Sequence, residues 1–384
     1  MTWHRRIHHS PYRQGLTMLI GVTVALAWSI SSHRSYTLFT SGNFSRSWQS
    51  WGLNNVHGLA LNLLLTFFFL AIGIELAQEL QSGVLQSWST IATPLFGAIG
   101  GMAFTAVPLL LVGSLTRTQF LIHGWGIPMA TDIALTLGTL SLLGTKVPSS
   151  LRLFVLTLAV LDDIGSVIAL GFVRPLQLTH WLIALVSIIV AVGAVALWRK
   201  GHPSALWLAL GATWIAFQRL GIEPALAGAV IGVFAVNSRL TLQLERRLSI
   251  LSSYVILPLF ALVATGITLS SQVLTHQSLR VLLAVALVRL IGKVLGISAG
   301  VRLSMVFGAS RPHELKGLTL TGTGLLCAIG FTVPLVFASA VTKTCGANYN
   351  AVTMGLLGAS LIGGVAGLFF VRLGLKRHPD LRGN

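Results

Sequence analysis

The sequence predicts an all-α integral membrane protein of about twelve transmembrane helices. Three observations predict it. Charged residues make up only 9% of the 384 residues while hydrophobic ones make up 54%, and a soluble domain carries about 25% charged residues. Too few charges are present to cover a water-facing surface. The apolar residues fall in long blocks, such as LNLLLTFFFLAIGI at 61–74 and WLIALVSIIVAVGAVALW at 181–198, and a spanning helix needs about 20 such residues. The basic residues behind the net charge of +17 lie mostly between these blocks. That placement belongs to membrane topology, and it excludes the nucleic-acid binding that such a charge would suggest in a soluble chain.

Taken in order, the predicted spans cover 15–31, 56–80, 91–114, 121–143, 150–172, 180–198, 204–220, 223–237, 249–270, 279–301, 316–341 and 351–373. The N-terminus, MTWHRRIHHSPYR before an apolar run, looks like a signal peptide, and Ala25 and Ala27 supply an A-x-A. That pair lies inside the apolar run rather than after it, so 15–31 is read as the first span. The longest polar stretch, 32–55, is too short to fold alone. Residues 1–384 therefore read as a single polytopic membrane domain. Cys327 and Cys345 show no metal or disulfide spacing and read as small apolar fillers.

Orientation follows from the basic residues. With the N-terminus in the cytoplasm, 17 lysines and arginines fall on cytoplasmic segments and 7 outside, which leaves Arg289 and Lys293 within a span. The split supports an even number of spans with both termini cytoplasmic. Span four (GWGIPMATDIALTLG) and span eleven (TGTGLLCAIGFTVPL) are each interrupted by small residues and a proline. They are seven spans apart, and an odd offset means that they run in opposite orientations, as inverted repeats require. Paired interrupted segments point to a transporter's binding site.

The chain has nine acidic residues. One at membrane depth costs about 2.5–3.5 kcal/mol on insertion scales and is a functional signal by default. Asp162 and Asp163 stand near the middle of RLFVLTLAVLDDIGSVIALGF, among the small side chains of Ala159, Ser166 and Ala169. Neighbours on a helix point about 100° apart, so the two need not share a role. A desolvated carboxylate can hold a proton near neutral pH, and the same oxygens suit a hard cation. A site that takes either proton or cation, never both, is the minimal chemistry of exchange. The bland alternative is a hydrogen-bonded buried pair with no part in transport.

Asp132 follows Thr131 just after Gly126 and Pro128. It either compensates the positive end of a half-helix or binds the ion, and Thr131 offers a neutral oxygen. Lys293, in LLAVALVRLIGKVLGISAG, calls for a carboxylate partner or the negative ends of broken helices; snorkelling to the interface is the alternative. Arg289, one turn away and nearer the outer side, reads as a snorkelling residue. Glu75 and Glu79 form an i, i+4 pair at the end of span two, either exposed or part of an acidic mouth that gathers cations. Glu245, in the amphipathic RLTLQLERRLSI, reads as paired to a nearby arginine.

These residues resemble the NhaA-type sodium/proton antiporters. The similarity runs in family order through FFFLAIGIELAQEL (67–80), GIPMATDIALTLGTLSLLGTKVP (126–148), LTLAVLDDIGSVIAL (156–170), ALAGAVIGVF (225–234), YVILPLFALVATGI (254–267), IGKVLGIS (291–298) and CAIGFTVPLVFASA (327–340). The combination of ATDIA, LDDIG and GKxLGIS is specific, whereas each alone is weak. The resemblance implies twelve helices in inverted repeats, with spans four and eleven discontinuous and crossing near the midplane. It implies that Asp163 is the principal carboxylate for transported sodium, with Asp162 close by and paired to Lys293 in one conformation. It places Thr131 and Asp132 at the crossing, Asp132 toward the half-helix N-termini and Lys293 toward the C-termini.

By the same resemblance Glu75, Glu79 and Glu245 belong to a cytoplasmic funnel and pH response. The 32–55 segment becomes a periplasmic hairpin that pairs two protomers into a homodimer. The implied function is export of sodium or lithium in exchange for protons, driven by the proton motive force, at the bacterial inner membrane. No cofactor is expected beyond the transported Na+ and H+. Glu223 departs from the family pattern, since well-characterised members carry histidine there, and Arg289 is not part of the motif.

Two other functions compete. A sodium-coupled solute transporter would need a polar or aromatic substrate cavity, which the sequence does not display. An intramembrane aspartyl protease needs two aspartates facing each other. Adjacent Asp162 and Asp163 cannot do this, although Asp132 with Asp163 could. The absence of a P-loop motif argues against a primary pump.

Overall fold

The computed structural model describes residues 11–44, 47–82, 88–144, 147–172, 179–235, 239–266, 275–309, 312–345 and 349–377. The described residues are helical or irregular, with no strand. In chain order the helices are α1 (Pro11–Ser31), α2 (His33–Ser41), α3 (Val56–Leu59), α4 (Leu65–Ser82), α5 (Trp88–Leu115), α6 (Gln119–His123), α7 (Ile133–Ser141), α8 (Ser149–Leu170), α9 (Trp181–Arg199), α10 (Ala205–Leu220), α11 (Leu226–Phe234), α12 (Arg239–Leu251), α13 (Leu257–Ala264), α14 (His276–Val306), α15 (Gly317–Leu326), α16 (Thr332–Cys345) and α17 (Tyr349–Arg377).

Among the described residues, seven stretches are long and apolar enough to cross a membrane: Val56–Glu75, Ile91–Leu115, Ser149–Leu170, Trp181–Arg199, Gln243–Ala264, His276–Val306 and Tyr349–Arg377. The chain is therefore an all-helical, multi-pass membrane protein. The other five predicted spans are short or interrupted. Span four divides into α6 and α7, and span eleven into α15 and α16. Span eight contributes only α11, nine residues and so about 14 Å of helix. Span nine starts earlier than its apolar run suggests. The amphipathic α12 continues through a π-helical turn at Ser252–Ile256 into α13 without a break.

The chain forms two compact units. The first comprises 1–17, 87–173 and 267–384. Its axis is the pairing of α5 with α14. Gly100 and Gly296 face each other so closely that a Cβ on either would run into the other's carbonyl oxygen, while Gly292 meets Phe104 O and Gly300 meets Phe96 O in the same way. Small residues allow such backbone approach, which in lipid replaces the hydrophobic drive. On its other side α5 holds α8, where Gly97 meets Leu158 and Gly165 meets Met102. Helix α15 packs on α17 through Gly322, Gly367 and Gly374.

The second unit comprises 18–86 and 174–266. Leu70, Ile74, Trp198, Leu206, Leu210, Ile231 and Leu248 form its core, from α4 and α9 to α12. Helix α4 is entered through a π-helical turn, Ala60–Leu64. The carbonyl of Asn62 in that turn accepts from Trp214 Nε1 at 2.8 Å. The described residues of the polar segment 32–55 include α2 and a 3-10 turn at Gln49–Trp51, and Phe44 N donates to Asn54 O at 3.0 Å. Tyr36 ties α2 to the end of α13. Its hydroxyl lies 2.8 Å from Leu262 O and 3.0 Å from Val263 O, and it accepts from Gly266 N at 3.1 Å.

Candidate functional site

The site lies within the first unit, where two helix breaks meet α8 and α14. The first break runs from Gly124 to Asp132, between α6 and α7. Pro128 has no N–H to donate and disfavours helix at the residue before it. Gly126 leaves room for the ring of Phe337, which a Cβ there would strike. The second break runs from Cys327 to Phe331, and helix resumes at Thr332 with Pro334 in the first turn, where a missing N–H costs nothing.

Hydrogen bonds join the two breaks. Asp132 N donates to Ile329 O at 2.9 Å, and Thr136 Oγ1 donates to Leu326 O at 3.3 Å. Gly330 N is held from α17 by Ser360 Oγ at 3.2 Å. Asp132 caps α7, accepting from Leu135 N at 3.1 Å, and its other oxygen accepts from Thr332 Oγ1 at 2.8 Å. One carboxylate thus meets the starts of α7 and α16, where the helix dipoles favour negative charge.

The carbonyl ends of the breaks meet Arg289. Its Nε donates to Ala328 O at 2.7 Å and its Nη2 to Ala130 O. Arg289 is fully buried, which corrects the expectation that it snorkels. Carbonyls released by a helix break cost free energy in an apolar interior unless they are paired, and a guanidinium offers two donors in a rigid fork. One carbonyl from each break supplies the reason for burial. The signal was present in the sequence, since Arg289 precedes Lys293 by four residues and so shares its helix face.

Lys293, also fully buried, forms an ion pair with Asp162 through Oδ2. Thr131 Oγ1 lies 2.7 Å from the same Oδ2 and 2.7 Å from Cys327 O, so its single proton can serve either. The second oxygen of Asp162, Oδ1, and the hydroxyl of Ser166 one turn along α8 are buried without a hydrogen-bond partner among the described residues. Asp163 is buried beside them. Sequence reasoning valued Ser166 only for its size, and it overlooked Thr332.

Glu75 is exposed and the side chain of Glu79 lies outside the described residues. Glu245 is half-buried and accepts from Gln78 Nε2 at 3.0 Å. Glu75 and Glu245 both belong to the second unit. Glu223 is buried just before α11, Cys327 is buried in the second break, and the side chain of Cys345 is outside the described residues.

This arrangement gathers two carboxylates, two hydroxyls and a backbone carbonyl beside two buried cationic side chains, Lys293 and Arg289. Oxygen-only donors suit a hard cation, and the carboxylates can carry protons instead. Comparison with known sequences points the same way. The family model described as Na+/H+ antiporter 1 matches residues 5–371. A Na(+)/H(+) antiporter NhaA of Campylobacter concisus is 33% identical over 375 residues, 94% of this chain and 91% of that protein. One from Pectobacterium atrosepticum is 31% identical, covering 96% of this chain and 95% of its own. One from Shewanella frigidimarina is 34% identical over 80% of each.

Proposed function

This chain belongs to the Na+/H+ antiporter 1 family, and on that premise we propose that its exchange of sodium for protons across the bacterial plasma membrane runs through Asp163 and Asp162. It is a transporter and not an enzyme. Sodium and protons are its substrates, and it works without a cofactor. Asp163 is the principal carboxylate for the cation. Asp162 is the switch, paired to Lys293 in one state and released to the cation in the other. Ser166 and Thr131 add neutral oxygens, and Asp132 balances the starts of the broken helices and is not a ligand.

The observation that carries this reading is the buried Lys293–Asp162 ion pair beside an oxygen of the same carboxylate, Asp162 Oδ1, that has no partner among the described residues. An ion pair desolvated on both sides is costly to hold, and an unsatisfied oxygen adds to that cost. A cation entering at Oδ1 and Asp163 recovers part of it, while a proton delivered to the same carboxylates cancels the charge instead. The two substrates therefore exclude each other. Alternating exposure of this site to the two sides, driven by the proton motive force, then exports sodium, with lithium as a second substrate of the same charge.

Twelve spans in inverted repeats give the architecture for that motion, with spans four and eleven crossing as discontinuous helices and both compact units acting as one transporter domain. Both termini face the cytoplasm on the balance of basic residues. Glu75, Glu79 and Glu245 line the cytoplasmic approach and the pH response. Two protomers pair through the 32–55 segment at the periplasmic face.

The test uses everted vesicles energised by respiration, with the pH gradient followed as sodium is added. The wild-type chain collapses the gradient and Asp163→Asn, present in the membrane at the same level, does not. Equal responses from the two would exclude Asp163 from the exchange.

A further inference from the structure

Where α5 ends and α14 begins, the two helices leave a basic cleft that the exchange does not use. The close contacts of Gly100 with Gly296, Phe104 with Gly292 and Phe96 with Gly300 are antiparallel and share one register. Carried about three turns further, that register sets Thr116, just past the end of α5, beside Arg280. There Arg117, Thr118 and Gln119 line, together with His276, Gln277 and Arg280, an open cleft of about 480 Å³, a size usual for a small-ligand site. Arg117 and Arg280 are exposed, and among the described residues neither guanidinium has a partner. No aspartate or glutamate occurs between 80 and 131 or between 246 and 313, so neither of the two segments that form the cleft supplies a counter-charge.

The backbone favours an anion in the same place. The cleft includes the start of α14, a helix of 31 residues, where the first N–H groups lack partners within the helix and the dipole is positive. Among the described non-glycine residues only Arg117 has a positive φ, 53°. Glycine takes that conformation freely and other residues do so at a cost, so what arginine adds there is its guanidinium. The position of the cleft selects the kind of anion. Ile91–Leu115 and His276–Val306 are each long and apolar enough to cross a membrane, and the cleft sits at their shared end, at the level of the polar headgroups. Leu115 beside it is 84% exposed, and Leu279, Leu283 and Leu287 are exposed along α14, four residues apart and so on one face. Leucines exposed along a spanning helix meet acyl chains.

We propose that this cleft holds the phosphate of an anionic membrane phospholipid, a diester whose headgroup carries no amine, between Arg117 and Arg280, with its acyl chains against Leu279, Leu283 and Leu287. A guanidinium presents paired donors that match two phosphate oxygens. Two of them without a nearby carboxylate favour a headgroup of net negative charge and oppose one that brings an ammonium. Gln119 and Gln277 offer amide donors to the phosphate or to headgroup hydroxyls. Inorganic phosphate shares the headgroup chemistry and lacks the chains that the leucines contact. A lipid held in this way ties the end of α5 to the start of α14 beyond their glycine contacts, and so stabilises the unit that carries the ion site.

The experiment uses the full-length protein, delipidated in detergent, and compares the wild type with Arg117→Gly, Arg280→Gln and the double variant. Phosphatidylglycerol is titrated in, with phosphatidylcholine, glycerol phosphate and inorganic phosphate as comparison probes. Binding is followed by native mass spectrometry and by the rise in unfolding temperature that a ligand of the folded state produces. Glycine suits the backbone at 117 and glutamine keeps the helix at 280, so without lipid each variant is expected to unfold at the wild-type temperature or above it. If one substitution does unfold the protein, the other single variant carries the same comparison. Phosphatidylglycerol is expected to stabilise the wild type, and the other three probes at equal concentration are not. Its affinity is expected to fall about tenfold for each guanidinium removed, while Arg302→Gln, an exposed arginine near the far end of α14, keeps the wild-type affinity. Equal affinities in the wild type and the double variant would overturn the proposal, as would an equal loss in Arg302→Gln, which marks a general effect of charge. Stabilisation of the wild type by phosphatidylcholine to the same extent would overturn it too, and so would stabilisation by the soluble phosphates, which would assign the cleft to a free anion.

Discussion

Thr332 Oγ1 donates to Asp132 Oδ2 at 2.8 Å, a contact between residues 200 positions apart. It joins the first residue of α16 to the N-cap of α7, so a single carboxylate serves two helix starts. An N-cap contributes about 1 kcal/mol and a charge at a helix start adds about 0.3–1 kcal/mol or more when buried. Asp132→Asn keeps the hydrogen bonds and loses the charge, whereas Asp132→Ala loses both. Thermal unfolding of the detergent-solubilised protein should rank wild type above asparagine and asparagine above alanine. Alanine as stable as asparagine would show that the caps contribute nothing.

Ser166 gives the converse case. Its hydroxyl is buried and without a partner among the described residues, so removing it relieves an unsatisfied group instead of breaking a bond. Ser166→Ala should unfold at the same temperature as wild type or slightly above it. If the hydroxyl is a cation ligand, the same variant should need several-fold more sodium for half-maximal collapse of the pH gradient. An unchanged sodium requirement would remove Ser166 from the site.

Tyr36 carries a pH dependence in the second unit. Burial pushes its hydroxyl up to about 12, partly offset by the hydrogen bond from Gly266 N. The folded state therefore favours the protonated form more than the unfolded state does. That stability is fully present below about pH 10, the ordinary tyrosine value, and is lost as pH rises from there through 12. Tyr36→Phe should lower stability at neutral pH by about 1–2 kcal/mol and flatten the alkaline fall of the unfolding temperature between pH 10 and 12. An equally steep fall in the variant would place the titration at another residue.

Much of the site was legible along the chain. The apolar blocks and the scarcity of charge specify a helical membrane protein, because no other arrangement satisfies so apolar a backbone in lipid. The LDDIG and ATDIA segments stand out because carboxylates at membrane depth are costly. Gly126, Pro128 and Pro334 mark the interruptions through local backbone chemistry. Arg289 was misjudged because its partners are backbone carbonyls at 130 and 328, which no side-chain pattern displays.

By itself, then, the sequence determined the helical membrane class, the two interrupted segments and the acids and bases that matter, since each of these follows from local composition and periodicity. Only the tertiary structure decided how they pair: Asp162 with Lys293, Asp132 with two helix starts, Arg289 with two freed carbonyls. Those partners lie from 39 to 200 residues apart, except for Leu135 three residues after Asp132. What brings them together is the close packing of α5 on α14 and of α15 on α17 through facing glycines, a property of surfaces that form only when the helices meet.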